Sequence, residues 1–147
     1  MDQIIKNIRF AFVLIVLVIE AITDFKKKEV NIVFPVFLAA AATVMLFFTK
    51  DISLINSIIG IAEGVLLILI SLLTKGEIGM GDGILLAACG LMLGGKDNLI
   101  MFFFACFSSA IVSALIMLIK KADKKTKIPF VPFMIPGFLI MVLLSLG

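Results

Sequence analysis

Apolar runs long enough to cross a bilayer recur along the whole of this chain, broken only by short polar stretches. About 17–25 apolar residues match the hydrocarbon thickness of a membrane at the rise of an α-helix. By length and flanking residues there are six such runs: Ile8–Phe25, Ile32–Thr49, Ile52–Thr74, Asp82–Leu93, Leu99–Ile119 and Pro129–Leu146. The fourth is short. Of the 147 residues, 63% are hydrophobic and 16% charged, against about 45–50% and about 25% in a soluble domain. The expected fold is all-α: a polytopic membrane protein whose residues 1–147 form one compact bundle of about six transmembrane helices.

Lysine and arginine give the orientation. With six crossings, one face collects Lys26, Lys27, Lys28, Lys75, Lys120, Lys121, Lys124, Lys125 and Lys127, and the other Lys6, Arg9, Lys50 and Lys96. The first set is the larger, which predicts cytoplasmic Lys-rich loops and both termini outside, in a cell membrane. Topology accounts for Lys120–Lys127, with attraction to anionic lipid headgroups as the other reading. A net charge of +3 is too small to point to nucleic acid. Ile8–Phe25 follows Lys6 and Arg9 as a secretory signal would. Yet Glu20, Ile22 and Asp24 stand where small residues should mark cleavage, so it reads as a retained helix.

Small residues recur at packing spacing in Gly60-x-x-x-Gly64, Gly90-x-x-x-Gly94, Ser109-x-x-x-Ser113 and Ala110-x-x-x-Ala114, which lets membrane helices approach closely. The two cysteines, Cys89 and Cys106, lie in apolar runs without C-x-x-C spacing. They read as small core hydrophobes, without support for a zinc site or a disulfide. Histidine is absent, and with it the commonest metal ligand and general base. No metal or cofactor is expected, and carboxylates become the main candidates for proton transfer.

Four acids lie inside or at the ends of the runs. Asp82 follows Gly79-Met80-Gly81 at the start of the fourth run, where glycines free the backbone and an aspartate can cap a helix. Asp24 closes the first run just before Lys26–Lys28 and could be a paired surface charge. Glu20 lies one turn earlier on the same face, either as a rival carboxylate or as a partner of Asp24. Glu63, beside Gly64, is a lone deep acid of the kind that bonds across a bundle or carries protons. An acid in such a place is costly, about 2.5–3.5 kcal/mol at a helix centre on insertion scales. Helix ends should also separate the aspartates, since Asp82 opens a helix and Asp24 closes one.

The stretch from Lys75 through Gly79-Met80-Gly81-Asp82 to Gly94 resembles the G-x-G-D core of the prepilin peptidases, intramembrane aspartyl proteases of type IV pilus and secretion pathways. That family also has an aspartate at the cytoplasmic end of the first catalytic helix, then basic residues and Ile-Pro-Asn. Here Asp24-Phe-Lys-Lys-Lys-Glu-Val-Asn31 supplies the aspartate, the basic run and Asn31, without the proline and one residue shorter. A late Pro-Phe-x-Pro-Phe element is matched by Pro129, Phe130, Pro132 and Phe133. Ile84 stands where the family often has a lysine. Larger members carry an N-terminal segment with paired Cys-x-x-C motifs, linked to methylation. This chain resembles the peptidase-only members.

The resemblance implies an aspartic-type endopeptidase that removes the cytoplasmic leader of a prepilin or pilin-like protein, with Asp24 and Asp82 as the catalytic pair. One aspartate would activate water while the other, protonated, hydrogen-bonds the scissile carbonyl and later helps the amine leave. Its partners would be that substrate and the lipid bilayer. No oligomeric state follows from it. A reading from another class is a small proton-coupled transporter or channel relaying through Glu20, Glu63 and Asp82. That reading leaves the glycine turn and the Pro-Phe element without a purpose.

Overall fold

A computed structural model describes residues 2–50, 52–75, 78–120 and 128–147. Among these the chain forms six helices and no strand: α1 (Asp2–Lys27), α2 (Val33–Phe48), α3 (Leu54–Leu73), α4 (Met80–Leu93), α5 (Gly95–Lys120) and α6 (Val131–Leu146). Each grows from one of the six apolar runs. Two begin earlier than their apolar residues do. α1 starts at Asp2 and takes in the polar stretch before Ile8. α5 starts at Gly95, so Lys96 and Asp97 form its first turn rather than a loop. An acid in a first turn suits the positive end of a helix. Only Gly94 separates α4 from α5, at φ 84°, a conformation that glycine adopts without penalty.

The short helix α4 is the hub. It packs against α1, α2, α3 and α5, while α6 lies between α1 and α5. Its Leu85, Leu86, Ala88, Cys89, Met92 and Leu93 are all buried. Close approach of α3 and α4 depends on the small residues singled out in the sequence. A Cβ on Gly60 would run into the backbone of Gly90, and one on Gly90 into that of Gly60. Gly64 lies in the same way against Ala87, and Gly83 against Ile68 and the Gly64 carbonyl. Not every pair of this spacing packs: Ala110 and Ala114 are exposed. The cysteines divide likewise, Cys89 buried as expected and Cys106 exposed, both free thiols.

Large apolar side chains cover the outside, among them Phe47, Phe48, Leu73 and Leu118. The buried set includes Arg9, Glu20, Asp24, Asp82 and Asn98. Two helices, Leu54–Leu73 and Gly95–Ile119, are long and apolar enough to cross a membrane by length and composition. The apolar helices α2, α4 and α6 have 16, 14 and 16 residues, so α4 is only about 21 Å long. The charges in α1 interrupt its apolar stretch. The Lys-rich segment 121–127 lies outside the described residues, as do Asp51, Gly76 and Glu77.

Candidate active site

Asp24 occupies the last turn of α1, which ends in Lys26 and Lys27. The chain then leaves the helix at Lys28, whose φ of 54° is left-handed and whose N–H donates to the Asp24 carbonyl at 2.7 Å. The three lysines are exposed, whereas Asp24 is only 5% exposed. Its Oδ2 accepts a buried hydrogen bond of 2.9 Å from the backbone N–H of Val131.

That donor lies within the Pro-Phe element. Val131 is the first residue of α6 and Phe130 its N-cap. N–H groups in a first turn have no partner within the helix, and proline is tolerated there because it has no N–H to leave unmatched. Phe130 stacks edge-on to Phe102 with 6.1 Å between ring centres, and its carbonyl accepts the Phe133 N–H at 2.9 Å. Ile128–Phe133 therefore aims the start of α6 at Asp24. This alters one expectation. Asp24 lies at the negative end of α1 and the positive end of α6 together, so helix dipoles do not set the two aspartates apart as the sequence suggested.

Asp82 is the third residue of α4, with Gly79 as N-cap. Its N–H donates to the Gly79 carbonyl at 3.2 Å, and its side chain makes no capping bond. A plain helix cap is thus not its role. The two glycines do different things. A Cβ on Gly79 would lie 2.9 Å from Asp82 Oδ2, so Gly79 leaves the carboxylate room. A Cβ on Gly81 would come within 2.7 Å of the Val30 Cβ, so Gly81 lets the α1–α2 loop settle onto α4. That loop carries the segment just after Asp24. Asp82, 9% exposed, lies close enough to Asp24 for their charges to interact.

Glu20 joins them. It is fully buried, and its charge also bears on Asp24. Its Oε2 accepts the Asn31 N–H at 3.0 Å, while Oε1 is buried without a hydrogen bond among the described residues. Asn31 in turn accepts the Val33 N–H on Oδ1 at 3.1 Å and so opens α2. Glu63 stands elsewhere. It accepts a 2.7 Å bond from Asn98 Nδ2 between α3 and α5, and makes no hydrogen bond to Glu20 or Asp82. The set proposed for a proton relay therefore falls into two separate places. Among the described residues, no three His, Cys, Asp or Glu side chains converge as metal ligands would.

The model of the type IV leader peptidase family matches residues 11–114, from within α1 to within α5, and takes in both aspartates. The chain belongs to that family. It is thus a leader-peptidase-like protease. No curated protein and no solved structure matches it. The family match stops short of Pro129–Phe133, so in this leader peptidase the link between that element and Asp24 rests on the geometry above.

Sequence reasoning missed Arg9, assigned there to a surface. It is 1% exposed at the end of the bundle opposite Asp24, donating to the Met92 carbonyl at 3.0 Å and to Thr49 Oγ1 at 2.6 Å. A signal existed. Arg9 stands among Ile8, Phe10, Ala11 and Phe12, and a charge within an apolar helix needs an internal partner.

Proposed function

We propose that this leader peptidase is an intramembrane aspartyl endopeptidase that removes the cytoplasmic leader of prepilin or pilin-like proteins. One observation carries the reading: two buried aspartates from α1 and α4 lie close enough at one end of an apolar bundle for their charges to interact, and among the described residues no cation pairs with either. Structure alone would favour a neutralised or apolar pair, since an uncompensated buried charge costs several kcal/mol or more. Two carboxyl groups so placed do not both ionise cheaply, and one proton between them yields an acid and a base. The base takes a proton from water, which attacks the scissile carbonyl. The acid hydrogen-bonds the carbonyl oxygen, and a proton is passed to the leaving amine. Asp24 and Asp82 exchange these roles over the cycle.

All six helices serve as membrane spans in this reading, and the outward phenylalanines and leucines face lipid. The Lys-rich end, with the aspartates, faces the cytoplasm. A substrate whose leader is in water and whose next segment is a hydrophobic helix would present its scissile bond at that boundary.

Co-expression with a pilin-like substrate tests the chemistry. Asp24→Asn and Asp82→Asn should each abolish processing while the protein reaches the membrane at normal level. Processing by either variant would overturn the pair mechanism. Cysteine labelling tests the orientation, with Cys89 and Cys106 replaced by alanine. A cysteine at Lys27 should react with an impermeant reagent only in opened cells, and one at Lys50 in intact cells.

A further inference from the structure

The bundle holds one more carboxyl than a two-aspartate mechanism needs, and it is the least exposed of the three. Glu20 is 0% exposed, one helical turn from Asp24 on the same face of α1. Burying a carboxyl that only fills space would be unfavourable beside an apolar residue of similar size. What Glu20 does is specific. Its Oε2 holds the backbone N–H of Asn31, eleven residues on, beyond the turn that ends α1. The held segment is the one whose Val30 rests on Gly81, next to Asp82. From its far side the same segment opens α2 through the Asn31 side chain. Glu20 thus ties the helix bearing Asp24 to the loop that packs on the turn bearing Asp82.

We propose that Glu20 is a positioning residue for the aspartate pair, acting as a hydrogen-bond acceptor that clamps the Lys28–Ile32 loop to α1 and thereby fixes the approach of α4 to Asp24. The idea rests on the aspartyl-protease reading for its effect on catalysis, but not for its effect on the loop. The function requires only an acceptor oxygen on a side chain of this length. Gln supplies one and Leu does not. Leucine would also leave the Asn31 N–H without its partner, and a buried donor without one is costly.

The test compares Glu20→Gln with Glu20→Leu in the full chain, using two readouts. The first is cleavage of a pilin-like substrate, with Asp24→Asn and Asp82→Asn alongside. Glu20→Gln should stay within about 3-fold of the unmodified enzyme. Glu20→Leu should lose roughly 10- to 100-fold in kcat with little change in KM, as a misplaced catalytic group does. The second readout does not need catalysis. A cysteine at Val30, in the background lacking Cys89 and Cys106, should react with a thiol reagent several-fold faster when Glu20 is leucine, and at the unmodified rate when it is glutamine. The inference is overturned if Glu20→Leu matches the unmodified enzyme in kcat and loop reactivity, or if Glu20→Gln is as impaired as Glu20→Leu. The latter would make the ionisable carboxyl, not the acceptor, the essential part. If the unmodified enzyme itself fails to cleave, the proposed function falls, and the Val30 labelling rates still decide the role of Glu20.

Discussion

The two ends of the bundle both bury polar groups, and they treat them in opposite ways. At the end away from the aspartates, the cation Arg9 is matched to oxygen acceptors, the Met92 carbonyl and the Thr49 hydroxyl. Nearby, Lys6 donates to the Ser145 carbonyl at 3.0 Å, close to where α6 ends, as suits the negative end of a helix. Each charge there closes a gap between helices. At the other end Asp24 lies within charge–charge reach of two further acids, Glu20 and Asp82, and the donors are backbone N–H groups at Val131 and Asn31. Like charges so gathered oppose one another. One end matches its cations to oxygens, while the other carries an electrostatic cost, as a working site of the proposed kind requires.

The comparison can be broken most sharply by exchanging the expected effects. Asp24→Asn and Asp82→Asn should lose about 10²- to 10⁴-fold in cleavage per folded molecule, with unfolding in detergent unchanged or slightly later because a repulsion is relieved. Arg9→Met should do the reverse, losing roughly 1–3 kcal/mol of stability while the molecules that remain folded cleave normally. Cleavage and thermal unfolding measured on the same preparations decide the matter. If folded Arg9→Met protein is as inactive as the aspartate variants, the two ends are not separable.

A second contrast lies between glycines. Gly60→Leu should destabilise the fold by about 3 kcal/mol or more, since overpacking where backbones touch has nowhere to relax; low yield and early unfolding would show it. Gly81→Ala should leave the fold nearly intact and slow cleavage by about 10-fold, because it lifts only the Val30 loop. Equal losses of stability from both would deny Gly81 its role at the site.

The smallest effects come from the turns. Lys28 and Lys75 both adopt φ 54° after α1 and α3, at the aspartate end, whereas the positive φ after α4 is given to Gly94. Replacing either lysine with glycine should raise stability by up to about 1 kcal/mol, read as a later unfolding transition. A loss instead would mean that the lysine side chain, rather than the backbone, matters there.

The helices were legible because apolar length is a property of single segments, and each run became one helix. The edges were less so. Lys96 and Asp97 look like a loop by composition, yet one glycine at positive φ makes the α4–α5 turn and leaves both residues helical. Of the candidate site, Asp24, Asp82 and the two glycines could be picked out from the turn and its flanks. The assignment of work could not. Neither the Val131 N–H on Asp24 nor the Asn31 N–H on Glu20 leaves a trace in side-chain identity, because a backbone donor is present at any non-proline residue. Arg9 shows the converse. Its charge was visible, but counting charges by face assumes that every cation is at a surface.

The bond from Val131 to Asp24 joins positions 107 residues apart, and that separation has a temporal meaning. Of the six helices, a ribosome makes α1 first and α6 last. Throughout synthesis of the five earlier helices, Asp24 has no α6 to meet, and the carboxyl pair is without the contact that anchors one of its members. The helix whose N–H holds Asp24 is the last of the six to be made.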